Sequence, residues 1–277
     1  MKPLLGPATR LCMSLAARPG HFGTRFHNRL YELLELDFIY KAFTTKDLPA
    51  AINGVRALDI RGCAISMPFK EEVIALLDHL AASALAIESV NTIVNDEGTL
   101  TGYNTDYIAI ATLLDQADIP PTTPFLLRGA GGMAKAVAAA LHDRGHRQGR
   151  IIARNATKGP ALAEQYGFSW QSQADNITAP LLINATPLGM QGPDADLLAF
   201  PKALIQAAET IFDVVALPVE TPLLRAAQQA GRKTITGADV AVLQAVEQFV
   251  LYTGIRPNPT QIQNAADFAR ANAIPAR

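Results

Sequence analysis

The stretch FLLRGAGGMAKAVAAAL, residues 125–141, decides the fold, because it predicts a short buried strand, a glycine turn and an alanine-rich helix. In the turn, Gly129, Gly131 and Ala134 fit the pattern G-x-G-x-x-A. Small residues there let the chain turn sharply, let a pyrophosphate approach the helix N-terminus and let the helix pack closely on its strand. The flanking strand and helix favour a dinucleotide site over an ordinary glycine turn. The turn residues predicted to bind the dinucleotide are Gly129, Ala130, Gly131, Gly132 and Met133.

The end of the next predicted strand selects between the nicotinamide cofactors. An NAD enzyme needs a carboxylate there for the ribose 2′-hydroxyl, whereas an NADP enzyme needs a cation for the 2′-phosphate. The segment RIIARNATKG, residues 150–159, places Arg154 at this position and contains no acidic residue. A guanidinium matches a phosphate in shape and charge. The sequence therefore predicts NADP as the cofactor, bound by Arg154, Asn155 and Lys158.

Strand-like and helix-like runs alternate along the whole chain, which predicts an α/β fold with parallel sheets covered by helices. The proline-rich segment DIPPTTP, residues 118–124, indicates a domain boundary. The elements predicted before it are strands at 11–15, 38–43 and 60–66, a hairpin of 89–95 and 98–104, and helices at 27–36, 46–57, 71–80 and 107–116, the last capped by Thr105 or Asp106. The elements predicted after it are strands at 125–128, 150–153, 180–184, 210–214 and 233–235, and helices at 132–144, 157–166, 201–208, 221–230, 239–253 and 259–272.

Composition restricts the class of protein. The 277 residues are 49% hydrophobic and 18% charged, enough to build a sizeable core in one or two domains. The formal net charge of −1 and the lack of a basic stripe argue against a nucleic-acid partner and favour a small-molecule substrate. The N-terminus is a poor signal peptide and no apolar run suits a membrane span, so a cytoplasmic protein is expected. Cys12 and Cys63 lie in strand-like apolar runs and are predicted to be buried thiols.

No metal site is predicted. Of the five histidines, His142 and His146 have the i, i+4 spacing of a ligand pair, but they flank Gly145 at a helix end. A surface or structural role is therefore favoured for both. His79 falls in the helix predicted at 71–80.

Lys70, in the segment ISMPFKEE (65–72), has two interpretations. Lysines are mostly exposed, which favours a solvated residue in the first turn of the following helix. A cation is nevertheless unfavourable at a helix N-terminus. An enzyme that transfers hydride from an alcohol to a nicotinamide also needs a group to take the hydroxyl proton, and Lys70 could be that base.

Seven segments together carry a family resemblance: SMPFKEE, ESVNTIV, GYNTDY, RGAGGMAKA, INATPLGM, FDVVALPVETPLL and GADVAVLQAVEQF. In this order they resemble shikimate dehydrogenase across nearly the whole chain, and LCMSLAARPGHFGTRFHN is closer to the divergent shikimate dehydrogenase-like branch. The resemblance implies an N-terminal α/β substrate domain, a Rossmann-type NADP-binding domain, and C-terminal helices that return to the substrate domain. The implied domains are residues 1–106 with 239–277, and residues 107–238.

The resemblance also implies roles for individual residues. Lys70 and Asp106 match the catalytic lysine and aspartate of the family, in which the lysine lies in the interdomain cleft and transfers the proton of the substrate hydroxyl. The implied substrate-binding residues are Ser66, Asn91 and Gln244. Val214 and Gly237 fall where the family's backbone lines the nicotinamide pocket, with segment 183–189 beside it.

Two departures from the family pattern concern the acid end of the substrate. The family's S-x-S-P segment, whose serines bind the substrate carboxylate, aligns with residues 21–24, where both serines are absent. His21 or Thr24 is a candidate replacement, as are Ser14 and Arg18. A family tyrosine also falls on Ala216. Slow turnover of shikimate, or a substrate with a different acid end, is therefore expected.

The resemblance, together with the NADP motif, implies an NADP-dependent enzyme that interconverts 3-dehydroshikimate and shikimate, or acts on a related cyclic hydroxy acid, as a monomer or a homodimer. One alternative is a dehydrogenase of quinate or another polyol acid. A second, of another class, is a protein that senses NADP or a ligand without turnover. The altered acid-binding segment suggests the sensor, whereas Lys70 and Asp106 argue against it because a sensor needs neither.

Overall fold

The chain folds into two compact units. The computed structural model describes residues 3–174 and 177–271. The first unit comprises the residues up to Thr105 and those from Val242 onward; the second comprises Asp106–Ala241. The elements that precede Thr105 are β1 (Arg10–Leu15), α1 (Phe22–Leu33), β2 (Phe38–Phe43), α2 (Leu48–Ala57), β3 (Gly62–Ile65), a 3₁₀ helix (Glu72–Leu76), β4 (His79–Leu80), α3 (Ala82–Leu85), β5 (Thr92–Asp96) and β6 (Thr99–Tyr103). The remaining elements are α4 (Thr105–Gln116), β7 (Phe125–Arg128), α5 (Gly132–Asp143), β8 (Gly149–Ile152), α6 (Lys158–Tyr166), β9 (Ser169–Gln171), β10 (Leu181–Asn184), α7 (Lys202–Ala207), β11 (Thr210–Asp213), α8 (Pro222–Gln229), β12 (Lys233–Thr236), α9 (Gly237–Thr253) and α10 (Pro259–Ala271).

The first unit contains a mixed sheet in the order β2-β1-β3-β5-β6-β4. β1 runs parallel to β2 and β3, and β5 runs antiparallel to β3 and β6. Glu97 and Gly98 both have positive φ in the two-residue turn between β5 and β6, so the predicted hairpin is confirmed. Neighbouring residues of β1, Cys12 and Met13, enter two different core clusters, which shows that both faces of this sheet are covered.

The second unit contains a parallel sheet in the order β12-β11-β10-β7-β8-β9. Counted within this unit from β7, the order is 6-5-4-1-2-3, the doubly wound arrangement of Rossmann-type domains. The predicted α/β class is therefore confirmed. The strand predicted at 125–128 has the same bounds as β7, and the helix predicted at 132–144 is α5, which is one residue shorter.

The helix predicted at 71–80 is wrong. The 3₁₀ helix covers only Glu72–Leu76, and His79–Leu80 then pairs with β6 as an edge strand. The Asp78 carboxylate accepts the Leu100 N–H at 2.7 Å, which ties the chain to β6 in place of another helical turn. As a result, Lys70 precedes the short helix instead of lying in its first turn.

α1 begins five residues before the predicted start at residue 27 and ends three residues earlier than predicted. An apolar stripe at i, i+4 and i+8 begins at Phe22, and burial of this stripe favours a helix over the loop that Gly23 suggests. At the other end, Glu35 has a φ of +54°, which ends the helix. Residues 21–24 are therefore the start of a helix and not a loop before it.

Two smaller differences concern α4 and β9. α4 begins at Thr105, so Thr105 and Asp106 both lie in its first turn and neither is the predicted cap before it. The three-residue strand β9 was not predicted; it pairs with β8 at the edge of the second sheet, and its length leaves little periodicity to detect.

Cys12 and Cys63 are fully buried free thiols in β1 and β3, as predicted. Burial raises the pKa of Cys12 to about 12 and also raises the pKa of Cys63, so both remain protonated at neutral pH. Neither thiol is therefore available as a thiolate nucleophile. Within residues 3–174 and 177–271, no helix is both long and apolar enough to cross a membrane.

Candidate active site

Asn91 is the centre of a hydrogen-bond network in the first unit. It lies directly before β5 and is almost fully buried. Its Oδ1 accepts the Thr105 N–H and the Thr92 hydroxyl, both at 2.8 Å, and its Nδ2 donates to Gln244 Oε1 at 3.4 Å. The network therefore brings together two of the predicted substrate-binding residues, Asn91 and Gln244, and fixes which way the Asn91 amide faces.

Gln248 is a member of this network that the sequence analysis missed. It lies one helical turn after Gln244 on α9, and its Nε2 donates to Thr92 Oγ1 at 3.0 Å and to the Asn91 carbonyl at 3.3 Å. The i, i+4 spacing from Gln244 was the available signal, because residues so spaced share a helix face. Gln248 is buried, so its amide acts on the Asn91 segment and not on solvent.

Lys70 is anchored to the same segment through its backbone. Its carbonyl accepts the Val90 N–H at 2.8 Å, one residue before Asn91. The Lys70 side chain is half-buried. Ser66, at the start of the same turn, is exposed, and its N–H donates to the Leu15 carbonyl at the end of β1. The chain after β3 therefore places Ser66 at the carboxyl end of β1 and bonds Lys70 to the segment before β5.

Asp106 is 8% exposed and lies in the first turn of α4. A carboxylate is favourable there because the first turn of a helix carries partial positive charge. Its neighbour Thr105 is fully buried and is bonded to Asn91 through both its N–H and its hydroxyl. The start of α4 is therefore anchored at Thr105 by the Asn91 network.

The segment that aligns with the family's two serines provides few side-chain donors. His21 precedes α1, is exposed and makes no capping hydrogen bond. Thr24 is half-buried in the first turn of α1, and its carbonyl accepts Asn28 Nδ2 at 2.8 Å. Of the other candidates, Ser14 is half-buried in β1, whereas Arg18 is exposed beyond its end.

The glycine turn of the second unit is built as the G-x-G-x-x-A pattern requires. Gly129 has a φ of +130°, and a Cβ there would lie 2.7 Å from the Ala185 carbonyl oxygen, so the turn needs glycine. Gly131 and Gly132 have open space where a Cβ would be, at the N-terminus of α5. Ala130 and Met133 are half-buried beside them. An open glycine turn at the N-terminus of a helix fits a pyrophosphate.

Arg154, Asn155 and Lys158 follow the end of β8 and are all exposed. Asn155 Oδ1 accepts the N–H groups of Thr157 and Lys158 at 2.9 and 2.8 Å, so it stabilises the start of α6. The side chains of Arg154 and Lys158 form no ion pair within the described part of the chain. Their charges suit an anionic group at the end of β8.

The loops after β10 and β11 are held together by the carboxylate of Asp213. It is fully buried and accepts hydrogen bonds from Asn184 Nδ2 at 2.9 Å, the Thr221 hydroxyl at 2.6 Å and the Val215 N–H at 3.2 Å. Burial raises the pKa of Asp213, although these three donors oppose the shift. Asn184 Oδ1 in turn accepts the Thr186 hydroxyl at 2.6 Å, which fixes the beginning of segment 183–189.

Gly237 and Val214 make a close backbone contact. A Cβ on Gly237 would lie 2.4 Å from the Val214 carbonyl carbon and oxygen, so only glycine fits at the start of α9. The Val214 N–H donates to the Asn184 carbonyl at 3.0 Å, which extends the ladder between β10 and β11 by one residue. The backbone of the predicted nicotinamide pocket is therefore rigidly supported.

His142 and His146 are separated by the end of α5. His142 is exposed beside Asp143, whereas His146 is buried and edge-on to the Phe125 ring. Burial lowers the pKa of His146, so it is neutral at neutral pH. Within the described residues, no group of three potential metal ligands occurs.

The parallel sheet and the glycine turn define an α/β protein with a dinucleotide-binding domain. Residues 22–93 match the family model of the shikimate dehydrogenase substrate binding domain. The chain is 54% identical to a shikimate dehydrogenase-like protein of Haemophilus influenzae over 268 residues, which are 96% of this chain and 99% of the relative. It is 37% identical to the shikimate dehydrogenase (NADP(+)) of Pyrococcus abyssi over 84% of this chain and 87% of the relative.

Solved structures show the same similarity. A shikimate 5-dehydrogenase-like protein superposes with a TM-score of 0.95 at 54% identity, over 96% of this chain and all of that chain. The crystal structure of shikimate 5-dehydrogenase from Thermus thermophilus, in complex with NADP(H) and shikimate, superposes with a TM-score of 0.83 at 32% identity, over 94% and 99%. The chain therefore belongs to the shikimate dehydrogenase family of oxidoreductases.

Proposed function

We propose that the protein is an NADP-dependent oxidoreductase that interconverts 3-dehydroshikimate and shikimate, or acts on a closely related cyclic hydroxy acid. The observation that carries the proposal is that segment 90–91 bonds both to Lys70 and to Thr105, the residue that precedes Asp106. Val90 donates its N–H to the Lys70 carbonyl, and Asn91 accepts the N–H of Thr105, the residue before Asp106. The polar side chain of Asn91 and the backbones next to both catalytic groups are thus parts of one network.

In the proposed reaction, Lys70 Nζ takes the proton of the substrate hydroxyl during oxidation and returns it during reduction. Lys70 is half-buried, and a carboxylate such as that of Asp106 would orient its side-chain nitrogen for the transfer. NADP, when bound, supplies the hydride acceptor or donor. Asn91, Gln244 and Ser66 would hydrogen-bond the ring hydroxyls and so place one of them at Lys70.

The proposed NADP site uses the open glycine turn for the pyrophosphate and the cations after β8 for the 2′-phosphate. Gly129, Ala130, Gly131, Gly132 and Met133 form the first part, and Arg154, Asn155 and Lys158 form the second. Val214 and Gly237 would line the nicotinamide with backbone atoms. On this proposal, residues 107–238 form the NADP-binding domain, and residues 1–106 with 239–277 form the substrate domain.

The acid end of the substrate is where the protein is proposed to differ from its relatives. His21 and Thr24 stand where the family has its S-x-S-P segment, and Ala216 stands where it has a tyrosine. Fewer hydroxyl donors at the carboxylate would leave the ring less firmly oriented, and small errors in orientation are costly in rate. We therefore propose that turnover of shikimate is slow, or that the preferred substrate has a different acid end.

Quinate is the second candidate substrate. The quinate dehydrogenase of Corynebacterium glutamicum, solved in complex with NAD, superposes with a TM-score of 0.85 at 26% identity over 94% of this chain. Quinate is tested because residues 21–24 lack the two serines with which the family binds the carboxylate of shikimate. Arg154 disfavours an NAD-linked reaction, because a cation there suits the 2′-phosphate of NADP.

The proposal is tested by following absorbance of the reduced cofactor with shikimate and quinate side by side, each with NADP+ and with NAD+. Signal with shikimate and NADP+ above both the quinate and the NAD+ reactions supports the proposal. Signal with quinate alone would replace the substrate, and a stronger signal with NAD+ would replace the cofactor. No signal with either acid, together with clear NADP+ binding, would favour the sensor.

A further inference from the structure

Arg128 and Arg154 lie at the same edge of the second sheet. Arg128 is the last residue of β7 and is the parallel partner of Ile152, the last residue of β8. Arg154 follows two residues later. Adjacent strands are about 4.8 Å apart, so the two long side chains leave the sheet from neighbouring positions at its carboxyl edge.

The Arg128 guanidinium is held in place by a backbone carbonyl and an aromatic ring and not by a carboxylate of the described residues. Its Nη1 donates to the Ala199 carbonyl, and its guanidinium lies 6.0 Å from the centre of the Phe200 ring. The side chain is half-buried. Burial lowers the pKa of Arg128, and the nearby positive charge of Arg154 lowers it further. The guanidinium remains charged, because arginine does not lose its proton in this range.

Among the residues that the structure describes, no carboxylate pairs with either of these two cations. Neither arginine forms an ion pair with any of residues 3–174 and 177–271. By contrast, Arg61 and Arg144, which are also half-buried, pair with Asp96 and Asp115. Two close cations at a partly desolvated edge repel each other, and a doubly charged anion between them would relieve that repulsion.

We propose that Arg128 joins Arg154 in binding the phosphate on the 2′ position of the NADP adenosine ribose, and that Arg128 is therefore a cofactor-selecting residue. This inference rests on the proposed NADP-dependent function. The planar guanidinium can donate two parallel hydrogen bonds to a phosphate, and the contacts with Ala199 and Phe200 fix its orientation before the cofactor arrives. Arg128 directly precedes Gly129, so one strand end would serve both phosphate groups of the cofactor.

The test measures the dissociation constants of NADP+ and NAD+ for the wild-type protein, Arg128→Met and the control Arg150→Met. Arg150 lies on β8 near its start and bonds to Ser169 and Gln171, so its replacement removes the same charge away from the proposed site. We expect Arg128→Met to raise the Kd for NADP+ by about tenfold or more and to leave the Kd for NAD+ within about twofold, because only NADP+ carries the 2′-phosphate. Arg150→Met should leave both constants unchanged.

Equal weakening of both cofactors by Arg128→Met, or no weakening of either, overturns the inference. If Arg128→Met does not fold, Arg128→Lys replaces it, since lysine keeps the charge but loses the planar fork. A selective rise in the Kd for NADP+ then supports the inference, and an unchanged ratio of the two constants overturns it. Failure of the proposed dehydrogenase has a different signature: the wild-type protein would bind NADP+ selectively, with Arg128 required, yet turn over none of the cyclic hydroxy acids.

Discussion

In the first unit, Asn91 and Gln244 are held by a hydrogen bond between their side chains, whereas in the second unit Gly131 and Gly132 leave open space at the N-terminus of α5. The first arrangement fixes the direction of a few polar groups and suits a small ring with several hydroxyls. The second suits a long cofactor whose pyrophosphate must approach the backbone closely. Substitutions should therefore act differently in the two units: on orientation and rate in the first, and on backbone geometry and cofactor affinity in the second.

The largest effect on stability is expected at the glycine turn. Gly129→Ala should lower the free energy of unfolding by about 2–4 kcal/mol, because alanine is strained at a φ of +130° and its Cβ meets the Ala185 carbonyl. Gly131→Ala should leave stability nearly unchanged, since nothing lies near its added Cβ, but it should weaken NADP+ binding. Denaturant unfolding and cofactor titration of both variants measure this contrast. Equal stability of the two would contradict the account of the turn.

Acid should destabilise the protein through His27 in the core of the first unit. The His27 ring is fully buried and stacks 4.5 Å from the ring of Tyr40. Burial lowers the pKa of His27 from 6.5 to about 3, so the folded state keeps it neutral while the unfolded state takes up a proton. The stability from the neutral ring is present above pH 6.5 and is lost as the pH falls toward 3, by about 2 kcal/mol between pH 7 and pH 5.

His27→Phe keeps an aromatic ring and should remove this part of the pH dependence. The exposed His79 gives a matched control, His79→Gln, which should keep the wild-type slope. The measurement is the free energy of unfolding of the three proteins at several pH values between 7 and 5. Parallel curves for His27→Phe and wild type would show that His27 is not the acid-sensitive group.

A smaller effect is expected from Gln248, which supports the Asn91 segment without a proposed contact to substrate. Gln248→Ala should lower kcat/KM by about fivefold, as expected for loss of a hydrogen bond of about 1 kcal/mol, while the Kd for NADP+ stays the same. Gln263→Ala on α10 is the control: its exposed side chain bonds to the exposed Asp267, and the variant should have wild-type kinetics. Wild-type kinetics in Gln248→Ala as well would mean that the network does not orient Asn91.

The second unit could be predicted from the sequence almost element by element, because a glycine turn has few ways to form and its neighbours follow at short intervals. Strand 125–128 and helix 132–144 illustrate this: each matches the structure to within one residue. The Lys70–Asp106 pair and the roles of Ser66, Asn91 and Gln244 were suggested by family resemblance and remain proposals.

The first unit was predicted less well because long-range contacts decide its local structure. The apolar spacing from residue 71 onward is helical, yet the bond from Leu100 to Asp78 turns the chain into an edge strand. Gln248 was missed for a similar reason: its function depends on Thr92 and Asn91, more than 150 residues away in the chain. Arg128 was missed because its neighbour Arg154 comes after the next strand, 26 residues further along the chain, and only the pairing of β7 with β8 brings the two together.

The most direct test of the central claim compares Lys70→Ala with Lys46→Ala, which changes an exposed lysine of the same unit. NADPH formation from shikimate, or from whichever cyclic hydroxy acid is the better substrate, should fall by about a thousandfold in Lys70→Ala and stay at the wild-type rate in Lys46→Ala. The Kd for NADP+ should be nearly the same in all three proteins. A Lys70→Ala variant with wild-type turnover would contradict the proposed proton transfer and, with it, the proposed mechanism.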